Sequence, residues 1–408
     1  MKLKDVNLTA QELKDIAEQY VYYSYRNYDV VMEDCDEKHL YDADGKQYLD
    51  FFAGVAVMSC GYRNQRVNNA IREQIEQITQ TCSYYYSVPT VMLAKKLCDA
   101  IGMNRIIYQN SGAEANEAMI KLARKYGTDH YGPHKYEIVT AFRSFHGRTF
   151  GAMTATGQPG SKIHNGFGGL VPGFKYAEYN NTDSFRDAIT ENTVAIMVEP
   201  VQAEGGLYPA TEEFLQGLRK LCDEKGLLLL FDEVQTGLGR TGSLMAYMGY
   251  GVKPDAVTLA KALGNGVPIG ACCFGKKLEG TFNSGDGAHG TTYSNNALAC
   301  AAGYAAVSEI IDRDLPGNAK KVGAYFMNKL QNLPNLKEVR GRGLLIGVEL
   351  TRPVAEKVKI TACKNGLLVC NLGDSIVRMV PPLIIDEADC DQAYEILEKS
   401  VKEVYASL

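Results

Sequence analysis

The chain has no apolar segment behind its polar start, Met1-Lys2-Leu3-Lys4-Asp5, and no long uncharged apolar stretch anywhere. Both absences argue against secretion and membrane spanning, so a cytoplasmic protein is expected. It also lacks an excess of basic charge. The 43 Lys and Arg stand against 48 Asp and Glu, a net charge of −5, so no bulk field exists to recruit nucleic acid or anionic membrane. No C-x-x-C pair occurs. The 11 cysteines are odd in number and scattered from Cys35 to Cys390, which reads as free thiols in a reducing compartment. The adjacent Cys272 and Cys273 would point to opposite faces of a strand. His130 and His134 have i,i+4 spacing, but Gly132 and Pro133 lie between them and break the helix a metal pair would need. No protein-bound metal is expected. Low-complexity tracts and repeats are absent as well. What remains is a chain of 408 residues, 46% hydrophobic and 22% charged, the composition of a globular enzyme of roughly two to three domains.

Between about Val67 and Gly290, short apolar runs alternate with helical stretches. The runs are Arg105–Gln109, Glu137–Phe142, Val194–Pro200, Leu227–Asp232, Ala256–Ala260 and Ile269–Phe274. That alternation predicts an α/β fold with a mostly parallel sheet flanked by helices. After about Ala297 a long helical stretch leads into short runs at Arg340–Glu349, Leu367–Cys370 and Ile376–Val380 and a last helix over Asp389–Tyr405, a smaller α+β domain. The segment Gln11 to Tyr28 reads as a tyrosine-rich helix and extended arm. Tyr41 to Phe51 alternates around Asp44-Gly45, a hairpin signal. The expected division is an N-terminal arm and hairpin over 1–60, a large domain over 61–297, and a small C-terminal domain over 298–408.

The run Leu228-Leu229-Leu230-Phe231 ends on Asp232, and the run Ala256 to Ala260 ends on Lys261. A buried strand that ends on a charge delivers it to the carboxyl edge of the sheet, where open α/β sheets bind ligands. A Lys and an Asp at that edge suit pyridoxal phosphate (PLP): the Lys forms the Schiff base and the Asp keeps the pyridine nitrogen protonated. The plainer alternative is an ordinary ion pair. Arg105 to Glu117 reads strand, turn, helix, with Ser111-Gly112 at the helix start, where free N–H groups form a phosphate cradle. Simple N-capping by Ser111 is the alternative there. Phe145, after the strand ending at Phe142, can stack on a flat ring, and Arg148 can grip a carboxylate. Core packing and a surface ion pair are their ordinary roles. Glu199 reads as structural, closing a strand before Pro200. Glu204, in a Gly-flanked loop, is the better candidate for the site. Val234 could pack on a ring face, and Gln235 could hydrogen-bond a phenolic oxygen.

Together these motifs resemble class III aminotransferases, the ω-aminotransferase group of fold-type I PLP enzymes. The matching segments are Ser111-Gly112-Ala113-Glu114-Ala115-Asn116-Glu117, Phe145-His146-Gly147-Arg148-Thr149, Glu199-Pro200-Val201-Gln202, Asp232-Glu233-Val234-Gln235-Thr236-Gly237, Leu259-Ala260-Lys261-Ala262-Leu263-Gly264 and His289-Gly290-Thr291-Thr292-Tyr293. They recur in family order from about Tyr41 to Leu383. Phe51 to Val57 and Thr81 to Pro89 are similar to segments of the members that act on N-acetylornithine. The resemblance implies that Lys261 is the Schiff-base lysine and Asp232 the pyridinium partner. It implies that Phe145 and Val234 sandwich the ring, and that Ser111, Gly112 and Ala113 hold the phosphate. Thr292 of a second subunit would help, which implies a homodimer with shared sites. Arg148 would bind the carboxylate remote from the reacting amine, and Arg378 the α-carboxylate of glutamate or 2-oxoglutarate. Glu204 would pair with Arg378 when an ω-amine substrate lacks a carboxylate there. Two segments depart from the family pattern: Tyr62-Arg63-Asn64-Gln65 in place of His-x-His-Pro, and Ser294-Asn295-Asn296-Ala297 in place of Gly-Gly-Asn-Pro.

The reading that follows is an aminotransferase carrying the terminal amine of an ω-amino substrate, N-acetylornithine first, to 2-oxoglutarate. Ornithine, 4-aminobutyrate and diamines are the alternative donors. A PLP aminomutase and a silent binding protein on the same fold are the competing classes. The Glu204/Arg378 pair argues against the first and the Lys261/Asp232 pair against the second.

Overall fold

The computed structural model describes residues 1–25, 28–283 and 285–408; Arg26 and Asn27 of the tyrosine-rich arm, and Ser284, lie outside the described residues. At the centre is a seven-stranded sheet. From one edge to the other its strands are Phe174–Ala177, Glu137–Ala141, Thr193–Val198, Leu228–Asp232, Ala256–Leu259, Gly270–Phe274 and Arg105–Gln109. Every neighbouring pair is parallel except the two made by Gly270–Phe274, which runs against both its partners. The run ending in Asp232 is therefore the middle strand. Its period-2 alternation splits the core in two. Leu228 and Leu230 pack on one side with Met119, Leu122 and Ala123 of the helix Gly112–Tyr131. Leu229 and Phe231 face the other, against Phe214, Leu218 and Leu221 of the helix Glu212–Lys225. Cys272 and Cys273 divide between the same two clusters, so adjacent thiols do lie on opposite faces.

The hairpin predicted around Asp44-Gly45 forms, with His39–Asp42 antiparallel to Gln47–Asp50 and Gly45 at φ +81°. Its sheet gains a parallel strand from far along the chain, Leu367–Leu368. The C-terminal part holds a third sheet, in the order Leu336–Arg342, Leu345–Leu350, Ile376–Met379, Cys370–Leu372, antiparallel throughout. The run read as one strand over Arg340–Glu349 is thus a hairpin turning at Gly343, φ +58°. The strand Phe174–Ala177 had no counterpart in the sequence reading. The two departures from the family pattern are helix caps. Asn64 accepts the Val67 N–H (3.1 Å) and Asn296 the Ala299 N–H (2.8 Å), the ordinary use of Asn at an N-cap.

Arg240 ties these parts together. Its fully buried guanidinium donates to the carbonyls of Leu344 (3.0 Å) and Pro381 (2.5 Å) and to Ser59 Oγ (3.1 Å). Among the described residues no carboxylate pairs with it, and burial pushes its pKa down to about 9.

Gly127 tests the packing of the long helix on the sheet. In a helix interior Gly→Ala is ordinarily stabilising by about 1 kcal/mol. Here a methyl would collide with the Lys135 carbonyl oxygen and stand 2.7 Å from Val194 Cγ2. Gly127→Ala is therefore expected to lower stability by about 1–3 kcal/mol, read from the midpoint of urea unfolding. A raised midpoint would show that the helix does not sit this close.

Candidate active site

A cavity of about 490 Å³ opens at the carboxyl ends of the parallel strands. Ser111, Gly112, Ala113, Phe145, Arg148, Glu204, Asp232, Val234, Gln235 and Lys261 all line it, ten positions drawn from five strand ends. Arg378 lies behind Glu204, 3% exposed, and its Nη1 pairs with Glu204 Oε1. Thr292 is exposed and does not line the cavity of its own chain; its carbonyl accepts Gln80 Nε2 at 2.7 Å.

Asp232 is 5% exposed and is held by donors from a helix, a loop and its own turn. Asn116 Nδ2 (2.7 Å) and His146 Nδ1 (2.8 Å) converge on Oδ2, and the Val234 N–H donates to Oδ1 at 3.0 Å. Because a carboxylate accepts, Nδ1 is the protonated nitrogen of His146. Asn116 is itself fixed by Thr258 Oγ1, which donates to its Oδ1 at 2.8 Å. Thr258 stands opposite Asp232 in the sheet register. Sequence reasoning assigned roles to none of Asn116, His146 and Thr258. The available signal was a polar residue inside an otherwise apolar face or run.

The helix Gly112–Tyr131 begins at the cavity, and the N–H groups of Gly112 and Ala113 have no intrahelical acceptor. Ser111 does cap the helix, accepting the Glu114 N–H at 3.2 Å, so capping and cradle coexist. A Cβ on Gly112 would stand 2.7 Å from Val234 Cγ1; only glycine lets this helix start approach Val234.

Lys261 follows the adjacent strand in the left-handed region, φ +48°, a conformation costing about 1–3 kcal/mol for a side chain of this kind. Its amine makes no hydrogen bond or ion pair with the described residues. Burial is the main cause that pushes its pKa down to about 8, with Glu204 acting in the opposite sense. Glu204 is held below the usual range: burial would raise it, but Arg378 and Lys261 outweigh that. Glu199, read from sequence as structural, lines the cavity too. Its Oε2 accepts the Phe145 N–H at 3.1 Å, and burial, then Asp232, push its pKa well up.

One lining contact escaped the sequence altogether. Tyr25 of the N-terminal arm accepts a hydrogen bond from Arg148 Nη2 at 3.0 Å, and its ring lies 5.7 Å from the guanidinium carbon. Among five tyrosines in that arm, nothing local distinguishes it.

These residues fit PLP. A buried carboxylate facing the cavity is matched to a protonated pyridine, a free amine of lowered pKa to an aldehyde, and a helix start with free N–H groups to a phosphate.

The family model described as Aminotransferase class-III matches residues 20–401. An acetylornithine aminotransferase of Caldanaerobacter subterraneus is 41% identical over 95% of this chain and 98% of its own length. One from Methanocaldococcus jannaschii is 42% identical over 96% and 98%. Among solved structures, an ornithine aminotransferase of Toxoplasma gondii superposes with TM-score 0.93 at 31% identity, covering 98% of this chain and 97% of its own.

Two outcomes are expected of this geometry. With a pKa of about 8, about a tenth of the Lys261 amine is neutral at pH 7, against roughly one part in 3,000 for ordinary lysine. The rate at which apo-protein captures PLP, followed by absorbance, should rise with pH and level off above about 8. A rise continuing past 10 would refute the lowered pKa. After borohydride reduction the pyridoxyl label should map to Lys261. Asp232→Asn should raise the barrier to turnover by about 2–4 kcal/mol. A loss below about tenfold in rate would mean that the carboxylate charge is not used.

Proposed function

Because this chain belongs to the class-III aminotransferases, fold-type I enzymes that depend on pyridoxal phosphate, we propose that it moves the terminal amine of an ω-amino substrate, N-acetylornithine first, to 2-oxoglutarate. The observation that carries the reading is a pair of arginines in unlike settings. Arg148 is exposed in the cavity beside the Tyr25 hydroxyl, and Arg378 is buried and closed by Glu204.

When bound, PLP supplies an aldehyde that exchanges amino groups and a ring that takes up the electron pair released at the substrate carbon. The chain supplies the rest. Asp232 holds the proton on the ring nitrogen. Phe145 and Val234 flank the ring, and the Ser111-Gly112-Ala113 turn takes the phosphate. Lys261 Nζ removes the proton from the amine-bearing carbon and returns it one position away. Arg148, with Tyr25 beside it, receives the carboxylate remote from the amine. Glu204 neutralises Arg378 while the donor occupies the cavity and releases it for the carboxylate of 2-oxoglutarate.

Acetylated over free ornithine follows from charge. Among the described residues no carboxylate pairs with Arg148 or Tyr25, so that end offers nothing to an α-ammonium, whereas an uncharged acetamido group needs no counter-charge. The similarity to acetylornithine aminotransferases supports the same choice. Free ornithine is the second reading, favoured by the overlay on an ornithine aminotransferase. A homodimer in the cytoplasm, with Thr292 completing the partner's phosphate site, accords with the exposure of Thr292 and with Tyr84 and Tyr86 at 90% and 98% exposure. No described helix is long and apolar enough to cross a membrane.

A panel of amine donors with 2-oxoglutarate, followed by glutamate formation, should rank N-acetylornithine first; ornithine first would select the second reading. In separate stopped-flow half-reactions, Glu204→Ala should improve glutamate and weaken the ω-amine as donor, while Arg378→Ala should cripple the 2-oxoglutarate half and partly spare the other. Equal losses in both halves would remove the dual-substrate role.

A further inference from the structure

Arg378 is a buried guanidinium whose polar contacts are few. Nη1 meets Glu204, and Gln235 Oε1 at 3.5 Å. Nε has no partner. Nη2 donates to one acceptor, Cys370 Sγ, at 3.6 Å. The contact is built into the sheet: Cys370 and Arg378 are directly paired across the antiparallel strands Cys370–Leu372 and Ile376–Met379, which sets their side chains on one face. The thiol proton is committed elsewhere, since Cys370 Sγ donates to the Asn371 carbonyl at 3.4 Å. The sulfur therefore turns a lone pair to Nη2.

We propose that Cys370 is a positioning residue for the acceptor half of the reaction, holding the plane of Arg378 through a weak sulfur contact so that the guanidinium can pass from Glu204 to the α-carboxylate of the incoming oxo acid. This rests on the reading of Arg378 as the carboxylate anchor. The argument is one of strength. A carboxylate at position 370 would neutralise Arg378 permanently and compete with the substrate. An alkyl group would leave Nη2 buried and unsatisfied, joining Nε, which already is, and would free the fork to tilt. A sulfur acceptor is weak, so it fixes orientation without satisfying the charge. Glu204 closes the site when no substrate carboxylate is present, and the thiol remains the one constant partner on the other nitrogen.

The experiment uses the PLP-loaded enzyme and its Cys370→Ala, Cys370→Ser and Arg378→Lys variants. Each half-reaction is measured separately, and binding of glutarate, a dicarboxylate with no keto group to react, is measured by calorimetry. Loss of a hydrogen bond to a charged group should raise the KM for 2-oxoglutarate and the glutarate Kd about five- to tenfold in Cys370→Ala. The maximal rate of that half-reaction and the KM of the amine donor should change less than about twofold. Cys370→Ser, whose hydroxyl can accept from Nη2, should recover most of the loss. An unchanged KM in Cys370→Ala, or equal changes in both half-reactions, would overturn the proposal. If Arg378→Lys leaves glutarate binding unchanged, the anchor reading itself is wrong. If Arg378→Lys loses it while Cys370→Ala does not, only the role of the thiol fails.

Discussion

Asp232 carries a carboxylate into the interior at the end of the middle strand, where it meets an amide, an imidazole N–H and a backbone N–H. A buried ion costs several kcal/mol, and the contacts from Asn116, His146, the Val234 N–H and, at 3.5 Å, Thr258 Oγ1 offset part of that. In the proposed function a protonated pyridine would supply the rest. The requirement reaches outward. Asn116 comes from the helix on one side of the sheet, His146 from the loop after Glu137–Ala141, and Thr258 from the neighbouring strand. The helix must start where it does for Asn116 to reach Asp232. That start leaves the N–H groups of Gly112 and Ala113 at the cavity. In the proposed function the nitrogen end and the phosphate end of the cofactor would thus depend on the same piece of secondary structure.

Burial decides the charge of the other groups. Glu199 and Glu204 lie in one cavity with Asp232, and three neighbouring anions would repel strongly at reduced dielectric. They are differentiated. Glu204 has Arg378 and stays ionised; Glu199 has a single backbone N–H and is driven toward its neutral form. Lys261, without a bonded partner, is driven the same way. In the proposed function Asp232 would serve the ring nitrogen and Glu204 would serve Arg378, while burial leaves the amine near the threshold of neutrality that nucleophilic and proton-transfer work require.

Much of this was legible in the sequence because parallel strands buried on both faces are continuous apolar runs, and the first charge after each run marks the sheet edge. Asp232 and Lys261 stand out for that reason. Arg378 and Glu204 lie far apart in sequence, and their pairing was implied by resemblance rather than by spacing. Short elements escaped. Phe174–Ala177 has four residues, Phe-Lys-Tyr-Ala, and follows a Gly-rich stretch. The turn at Gly343 sits between Arg340-Gly341-Arg342 and the apolar Leu344-Leu345-Ile346 with no Asn-Gly or Asp-Gly signal, so two strands read as one. The residues that hold Asp232 escaped because each is unremarkable locally; a buried Asn on a helix and a Thr in a strand acquire meaning only when the fold brings them to one carboxylate. Tyr25 and Arg148 meet across 123 residues of chain, and no local rule anticipates that.

In the proposed function the loop bearing Glu204 would let one site serve two substrates without rebuilding itself. Two residues beyond Glu204, the Gly206 carbonyl accepts Arg340 Nε at 2.7 Å, and Arg340 is in turn bound by Glu338 (2.7 Å) and Glu349 (2.6 Å). Gly206 adopts φ +118°, and a Cβ on Gly205 would collide with the Arg143 carbonyl. The backbone is held immediately beyond Glu204, and Arg378 stands on a paired strand that cannot shift without breaking its sheet. The free coordinate is the Glu204 side chain, about a quarter exposed to the cavity. In the proposed reaction the exchange of a neutral substrate end for a carboxylate is then a rotamer change that releases Arg378 and Gln235, and the frame that holds Asp232, Lys261 and the Ser111 turn is the same in both halves.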